Sequence, residues 1–390
     1  MNGRTPLRIA VIAGEESGDL LGVDLVQAVA KRAGRPVELC GIGGRGLQAQ
    51  GLQSIFPADD IALMGISAVL RDLPRLMRRI GQAARAIVAA KPDCLITIDS
   101  PDFGLRVARK VRAAQPSIPI VHYVCPSVWA WRPGRAAAMK PHVDHVLCLL
   151  PFEPEELQRL GGPPGTFVGH RLTGDSDIRA AAEAQLSRKA SGQRARKKLL
   201  LLPGSRKGEV RRLLGPFGET LRELNAFGHE FDAMIPTVPH VAPLVEAAVR
   251  GWAVRPEIIR EPQEKWRAFS QADAALACSG TVALELALAR VPFVSCYKTD
   301  PAARFAMSLV TVWSASLPNL IADWPVVPEY FNEFVRPGYL ARQLRQLWSD
   351  TPTREAQRAG FADVAERLAT PRAAGEMAAD VILGQIANRG

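Results

Sequence analysis

In CSGTVALELALA, Cys278–Ala289, the small residues Ser279, Gly280 and Thr281 separate a short apolar run, Ala274–Ala277, from a stretch rich in Ala, Leu and Glu. A buried strand that turns directly into a helix leaves bare N–H groups at the helix start, a seat for an anion. Glu285, one turn further in, is placed to bind ribose hydroxyls if that anion is a nucleotide diphosphate. LLPGSRKGEV, Leu201–Val210, repeats the arrangement, with Gly204 and Ser205 before a helix start and Arg206 and Lys207 beside them. It lacks the GxxxxGKS or GxxxxGKT spacing of a P-loop. A capped core helix explains either loop alone; two in one half of the chain point to a nucleotide.

Carboxylates also follow strands. In IDSPDFG, Ile98–Gly104, Asp99 comes straight off a strand end and suits a general base, since it can take a proton from a hydroxyl in reach. Asp102 reads as the cap of a helix beginning near Gly104. In AGEESGDLLG, Ala13–Gly22, Gly14 and Gly18 permit a tight turn and Ser17 can cap the next helix. A plain turn does not need the adjacent Glu15 and Glu16, so this loop is assigned a ligand. It is not GxGxxG, so no dinucleotide fingerprint is present. YVCPSVWAWRPGR, Tyr123–Arg135, holds Trp129 and Trp131; they either plug their own core or wall a ligand cleft.

The elements that must position these loops are legible from hydrophobic runs. Strands are expected at Arg8–Ala13, Val37–Gly41, Cys94–Ile98, Ile118–Val124, His145–Leu149 and Thr166–Val168, with helical patterns between them. After the polar, basic segment Thr173–Lys198, strands resume at Leu199–Leu202, Asp232–Ile235, Glu257–Ile259, Ala274–Ala277 and Pro292–Cys296. Alternation of this kind argues parallel sheets. The expected fold is α/β with two doubly wound Rossmann-like domains facing a cleft, at 1–173 and 199–336. A linker at 174–198 joins them, and helices at 337–390 follow. Ligands in such sheets sit beyond the carboxyl ends of the strands, where these loops are.

The chain of 390 residues carries a net charge of +10, which suits nucleic acid, an anionic membrane surface or phosphorylated substrates without choosing among them. The six cysteines and six histidines show no CxxC or HxxxH spacing, so no metal site is expected, and the thiols read as buried and reduced. The N-terminus reads as a first strand rather than a signal peptide. No apolar run reaches the roughly 18 residues of a membrane span. MGISAVLRDLPRLMRRIGQAAR, Met64–Arg85, places Ile66, Val69, Leu70, Leu73, Leu76, Met77 and Ile80 at helical spacing with arginines interleaved. It reads either as a basic amphipathic membrane contact or as a helix packing on the sheet. Pro74 argues against one long regular helix.

GEESGD, ALMGISAVL, IDSPDF, HYVCPSVWAWR, LPFE, FVGH, LLPGSRKGEV, SGTVALE and SLPNLI occur in that order. Together they resemble the lipid-A-disaccharide synthase family of inverting glycosyltransferases of the GT-B type, from about Ile9 to Leu320. The resemblance implies transfer of 2,3-diacylglucosamine from UDP to the 6-hydroxyl of 2,3-diacylglucosamine 1-phosphate (lipid X), with no cofactor and no metal. It implies Asp99 as base, with Glu15 as second choice or as an acceptor-sugar contact alongside Ser17. UDP would be held by Gly204, Ser205, Arg206, Ser279, Gly280, Thr281, Glu285 and Asn319. Gly14, Gly18, Trp129 and Trp131 would stand on the acceptor side. Met64, Ile66, Val69, Leu70, Leu73, Leu76 and Met77 would meet acyl chains and the anionic cytoplasmic face of the inner membrane. Nucleic acid is not an expected partner, and a homodimer is left open. Three departures stand out: Ala68 where Glu is expected, Cys125 where Ser is usual, and Cys278 before SGT. The rivals are another UDP-sugar enzyme of this fold with a soluble substrate, and a two-domain binding protein without chemistry.

Overall fold

The computed structural model describes residues 5–62, 66–188, 196–300 and 310–389, and for 62 and 66–73 the backbone alone. The chain divides into two compact units. One runs to Arg171 and takes the chain up again at Thr370; the other is Leu172–Ala369.

The first unit is built on seven parallel strands: β1 (Leu7–Ala13), β2 (Val37–Ile42), β3 (Gln53–Ser54), β4 (Cys94–Ile98), β5 (Ile120–Tyr123), β6 (His145–Cys148) and β7 (Gly165–Phe167), in the order β3-β2-β1-β4-β5-β6-β7. The apolar runs LRIAVIA and CLITI lie side by side at its centre, with Ala13 beside Ile98, because strands covered on both faces cannot alternate in polarity. Its helices are α1 (Glu16–Ala33), α2 (Arg45–Ala49), α3 (Asp59–Ala62), α4 (Ile66–Ala90), α5 (Pro101–Ala114), α6 (Gly134–Met139) and α7 (Glu153–Arg159).

α4 is one continuous helix with Pro74 inside it, contrary to the break expected there. Proline removes one i→i−4 hydrogen bond. The helix nonetheless continues past it, and C-terminal to Pro74 the residues Leu76, Ile80, Ala83, Ala84 and Ile87 are buried in the sheet's core. α5 starts at Pro101 rather than near Gly104, since proline is preorganised for a first helical turn and its missing N–H is not needed there.

The second unit carries six parallel strands: β8 (Lys197–Leu202), β9 (Phe231–Pro236), β10 (Glu257–Ile259), β11 (Ala274–Cys278), β12 (Phe293–Tyr297) and β13 (Glu329–Phe331), in the order β10-β9-β8-β11-β12-β13. Its helices are α8 (Ser176–Ser187), α9 (Lys207–Ala226), α10 (Ala242–Val249), α11 (Pro262–Gln271), α12 (Thr281–Leu288), α13 (Leu317–Ala322), α14 (Pro337–Trp348) and α15 (Pro352–Arg367). The expected linker is largely helix: Asp175 caps α8 by accepting from the N–H groups of Asp177 and Ile178, and Gln185 donates to the carbonyls of Phe269 and Ala272. Residues 189–195 of that linker lie outside the described residues.

The C-terminal helices do not form a body of their own. α14 buries Leu340, Leu344, Leu347 and Trp348 in the second unit's core, and Phe361 of α15 stacks on Phe293 with centroids 5.8 Å apart. α16 (Ala374–Ala387) belongs to the first unit, packed against α1 with Ala378, Ala379 and Ile382 buried. Arg32 pairs with Asp380 across that contact, and Lys31 lies 3.5 Å from Glu376.

Candidate functional site

Strand order reverses between β1 and β4 in one sheet and between β8 and β11 in the other. Crevices for ligands open at such points, beyond the strands' carboxyl ends.

In the second unit, the loops after β8 and β11 line one cavity of about 1260 Å³. Gly204, Ser205, Arg206, Ser279, Gly280, Thr281 and Glu285 all line it. Gly204 and Gly280 have φ of +115° and +153°, backbone conformations that side chains disfavour. Among the described residues, no hydrogen bond takes up the N–H groups of Gly280, Thr281 or Val282, so they are available to an anion at the start of α12. Arg206 is exposed, and its guanidinium lies 3.1 Å from the Glu209 carboxylate, which also accepts from the Arg206 N–H at 3.3 Å. Glu285 is paired with Lys265 at 2.6 Å, and that ammonium lies 4.5 Å from the centre of the Trp266 ring. His240 bonds the Ser205 carbonyl at 2.7 Å. Burial, with the Glu209 charge, pushes the Cys278 thiol up to about 12, so it is a neutral wall of the cavity.

Two expected donor contacts are corrected. The N–H of Ser279 is taken by the Cys296 carbonyl at 3.0 Å, and its hydroxyl donates to the Ala315 carbonyl at 2.7 Å. Its donors therefore point into the fold rather than to a phosphate. Asn319 is 1% exposed, and its amide is spent internally on Val327 and Glu329. It does not line the cavity; it braces the 314–329 segment that Ser279 holds.

In the first unit, Asp99 and Ser100 have φ of +50° and +41°, and Val124, at the end of the next strand, has +76°. Left-handed backbone is rare for non-glycine residues and aberrant for a β-branched one. Each such residue costs about 1–3 kcal/mol and persists where neighbours hold it. Here the Asp99 N–H donates to the Tyr123 carbonyl at 2.9 Å and the Val124 N–H to the Leu147 carbonyl at 3.0 Å. The loop after β1 closes on this bend: a methyl placed on Gly14 would lie 3.3 Å from the Ser100 hydroxyl. Glu15 precedes α1 and is exposed, as is Ser17, which stands inside the first turn rather than at the cap. Gly18 packs under the same bend against Ile98. Asp102 is not a cap; it pairs with Arg135 at 2.6 Å.

Several buried polar groups were not visible in the sequence. The Asp19 carboxylate, 7% exposed, accepts from the N–H groups of Gly44, Gly46 and Leu47. His122 bonds the Thr97 hydroxyl at 2.7 Å, and burial pushes its ring down to about 3, so it stays neutral. Glu153 accepts from the Trp129 indole at 3.2 Å and from the N–H groups of Leu149 and Leu150. Burial pushes Glu153 up to about 7. Trp129, edge-on to Phe152, is thus tied into its own unit, while Trp131 is 37% exposed beneath the Arg132 guanidinium. Cys125 and Cys148 lie with Glu153 in one buried cluster, their ligand atoms within 4.8 Å, a grouping no spacing rule finds.

Met64 lies outside the described residues, as do the side chains of Ile66, Val69, Leu70 and Leu73. Leu76 is a correction: at 5% exposed it is committed to the core and meets no lipid. Met77, one residue on, is 43% exposed. No helix among the described residues is long and apolar enough to cross a membrane.

The family model described as Lipid-A-disaccharide synthetase matches residues 9–380. A lipid-A-disaccharide synthase of Rhodopseudomonas palustris strain HaA2 is 48% identical over 379 residues, covering 96% of this chain and 95% of its own. Another, from Bradyrhizobium diazoefficiens, is 44% identical over 387 residues, 98% of each chain. Among solved structures, MurG of Acinetobacter baumannii superposes with a TM-score of 0.60 at 14% identity, over 97% of this chain and 100% of its own. The S. aureus MnaA–UDP co-structure gives 0.62 at 12% identity, over 98% and 96%. These structural likenesses establish the two-domain GT-B fold.

Proposed function

The chain belongs to the lipid-A-disaccharide synthetase family, and from that premise we propose how its residues divide the reaction. It is a glycosyltransferase that condenses UDP-2,3-diacylglucosamine with lipid X. In this reading the second unit holds the donor. The free N–H groups of Gly280 and Thr281, with Ser205 and Arg206, receive the diphosphate, and Glu285, kept in place by Lys265, takes the ribose. The first unit holds the acceptor, with Asp99 as base and Glu15 positioning the sugar or standing in as base.

Asp99 removes the proton of the acceptor 6-hydroxyl as its oxygen attacks the anomeric carbon from the face opposite UDP. A new C–O bond forms, the bond to UDP breaks, and configuration inverts. The released electron pair lands on the diphosphate, where N–H dipoles and the Arg206 charge stabilise it. No divalent cation is called for in this scheme. The enzyme works as a peripheral protein on the cytoplasmic face of the inner membrane, with the exposed Met77 toward the lipid.

One observation carries the reading: in both sheets, the loops bearing the candidate residues stand where strand order reverses. The test is a transfer assay with both lipid substrates and EDTA, read by mass spectrometry. Disaccharide 1-phosphate is expected. UDP binding without product would overturn the acceptor half of the scheme.

A further inference from the structure

A second concavity, of about 700 Å³, lies on the first unit over α5, between α4 and α6. Met77, Ile80, Leu105 and Met139 supply its apolar surface. Arg106, Arg109 and Lys110 stand over it, exposed and at i, i+3 and i+4 on one helix face. Other cations of this groove are neutralised: Arg135 pairs with Asp102, and Arg112 with Asp144. Among the described residues, Arg106, Arg109 and Lys110 have no acidic partner. The Arg109 charge is felt nearby: burial first, then the charges of Arg109 and Arg112, push His142 down.

Three unpaired cations above an apolar floor match a molecule that is anionic at one end and hydrocarbon at the other. Nucleic acid offers the phosphate without the hydrocarbon, and the +10 net charge alone would not need the floor. We propose that this groove is a binding site for the headgroup phosphate of an anionic phospholipid in the bilayer, with Met77 and Leu105 under the acyl chains. The site deepens, and rests on, the reading of this protein as a peripheral lipid enzyme. It also gives that reading an orientation. At a rise of about 1.5 Å per residue, Arg106–Lys110 lie roughly 8–14 Å along α5 from Pro101. A lipid held there keeps the Asp99 bend at the surface where acylated substrates reside.

The test is flotation of the purified full chain with phosphatidylcholine vesicles, with and without phosphatidylglycerol. One basic residue near an anionic surface is worth about fivefold in partitioning. The triple variant R106Q/R109Q/K110Q should therefore lose about a hundredfold on the anionic vesicles alone. A charge-matched control on the second unit, R222Q/R250Q/R255Q, should keep most of its binding. Equal losses in the two triples would reduce the site to net charge, and no loss in the first would remove it. Leu73→Asp tests the underlying reading separately: it should lower binding to both vesicle types. Wild-type protein floating with neither would overturn the membrane reading and the site together. In non-ionic detergent micelles the first triple should transfer sugar with unchanged KM for lipid X. A raised KM there would assign the groove to the acceptor and overturn the phospholipid assignment.

Discussion

The Ser279 hydroxyl donates to the Ala315 carbonyl at 2.7 Å, so the loop that opens α12 is tied to a segment 36 residues downstream. Glu329 holds that segment in turn, accepting from the Ser314 hydroxyl, the Ala315 N–H and the Asn319 amide. Asn319 closes the network on the backbone of Val327. A residue placed at the donor site by motif thus acts through two others. Asn319→Ala leaves the Val327 N–H buried without an acceptor and should cost roughly 2–3 kcal/mol of stability. UDP should bind more weakly as Ala315 shifts. Ser279→Ala should weaken UDP with little change in stability. Denaturant melts beside UDP titration calorimetry check both, and loss of UDP affinity in Asn319→Ala without loss of stability would restore a direct contact.

Arg206 is tested against the same ligand. Its side chain is 84% exposed and, among the described residues, paired with Glu209 alone, so removal should change stability by less than about 0.5 kcal/mol. A charge-assisted bond to a phosphate is worth roughly 1.5–3 kcal/mol, so Arg206→Ala should weaken UDP about ten- to a hundredfold. An unchanged Kd for UDP would end the phosphate role.

Glu153 should make stability fall as pH rises. Burial pushes its folded pKa from 4.5 up to about 7, so between those values the folded state binds more protons than the unfolded one. The stabilisation is fully present below 4.5 and lost as pH passes through about 7, on the order of 3 kcal/mol. The same rise ionises the group that holds the Trp129 indole. Glu153→Gln should flatten the profile over that window, and a slope identical to wild type in melts across the range would refute the assignment.

What could be read from the sequence follows from the range of the interactions. Cys94–Ile98 emerges residue for residue, because a strand covered on both faces must be apolar along its length. Gln53–Ser54 and Glu329–Phe331 are too short to show a run. The loops after β8 and β11 that line the cavity were legible because small residues between a strand and a helix are a local signal. Asp19, Glu153 and the Lys265–Glu285 pair were not, since a buried or paired carboxylate finds partners set by topology rather than by spacing. Pro74 misled for the converse reason: a local rule against proline in helices gave way to the packing of Ile80, Ala83 and Ile87 on the sheet.

The choice of base is decided by two neutralising substitutions on the closed bend of the first unit. Asp99 stands at the end of β4 with φ of +50°, anchored through its N–H to Tyr123, and Asp or Asn tolerates that backbone better than other side chains. Asp99→Asn therefore keeps the bend while removing the proton acceptor. Transfer should fall by about a hundredfold or more, the scale of a lost general base, with UDP affinity unchanged. Glu15→Gln lies on the adjoining loop and should raise KM for lipid X more than it lowers kcat if Glu15 only positions the sugar. The reverse pattern, with Asp99→Asn near wild type and Glu15→Gln losing kcat alone, would exchange the two roles. Single-turnover transfer at saturating donor separates these outcomes, because the chemical step is then read apart from UDP release.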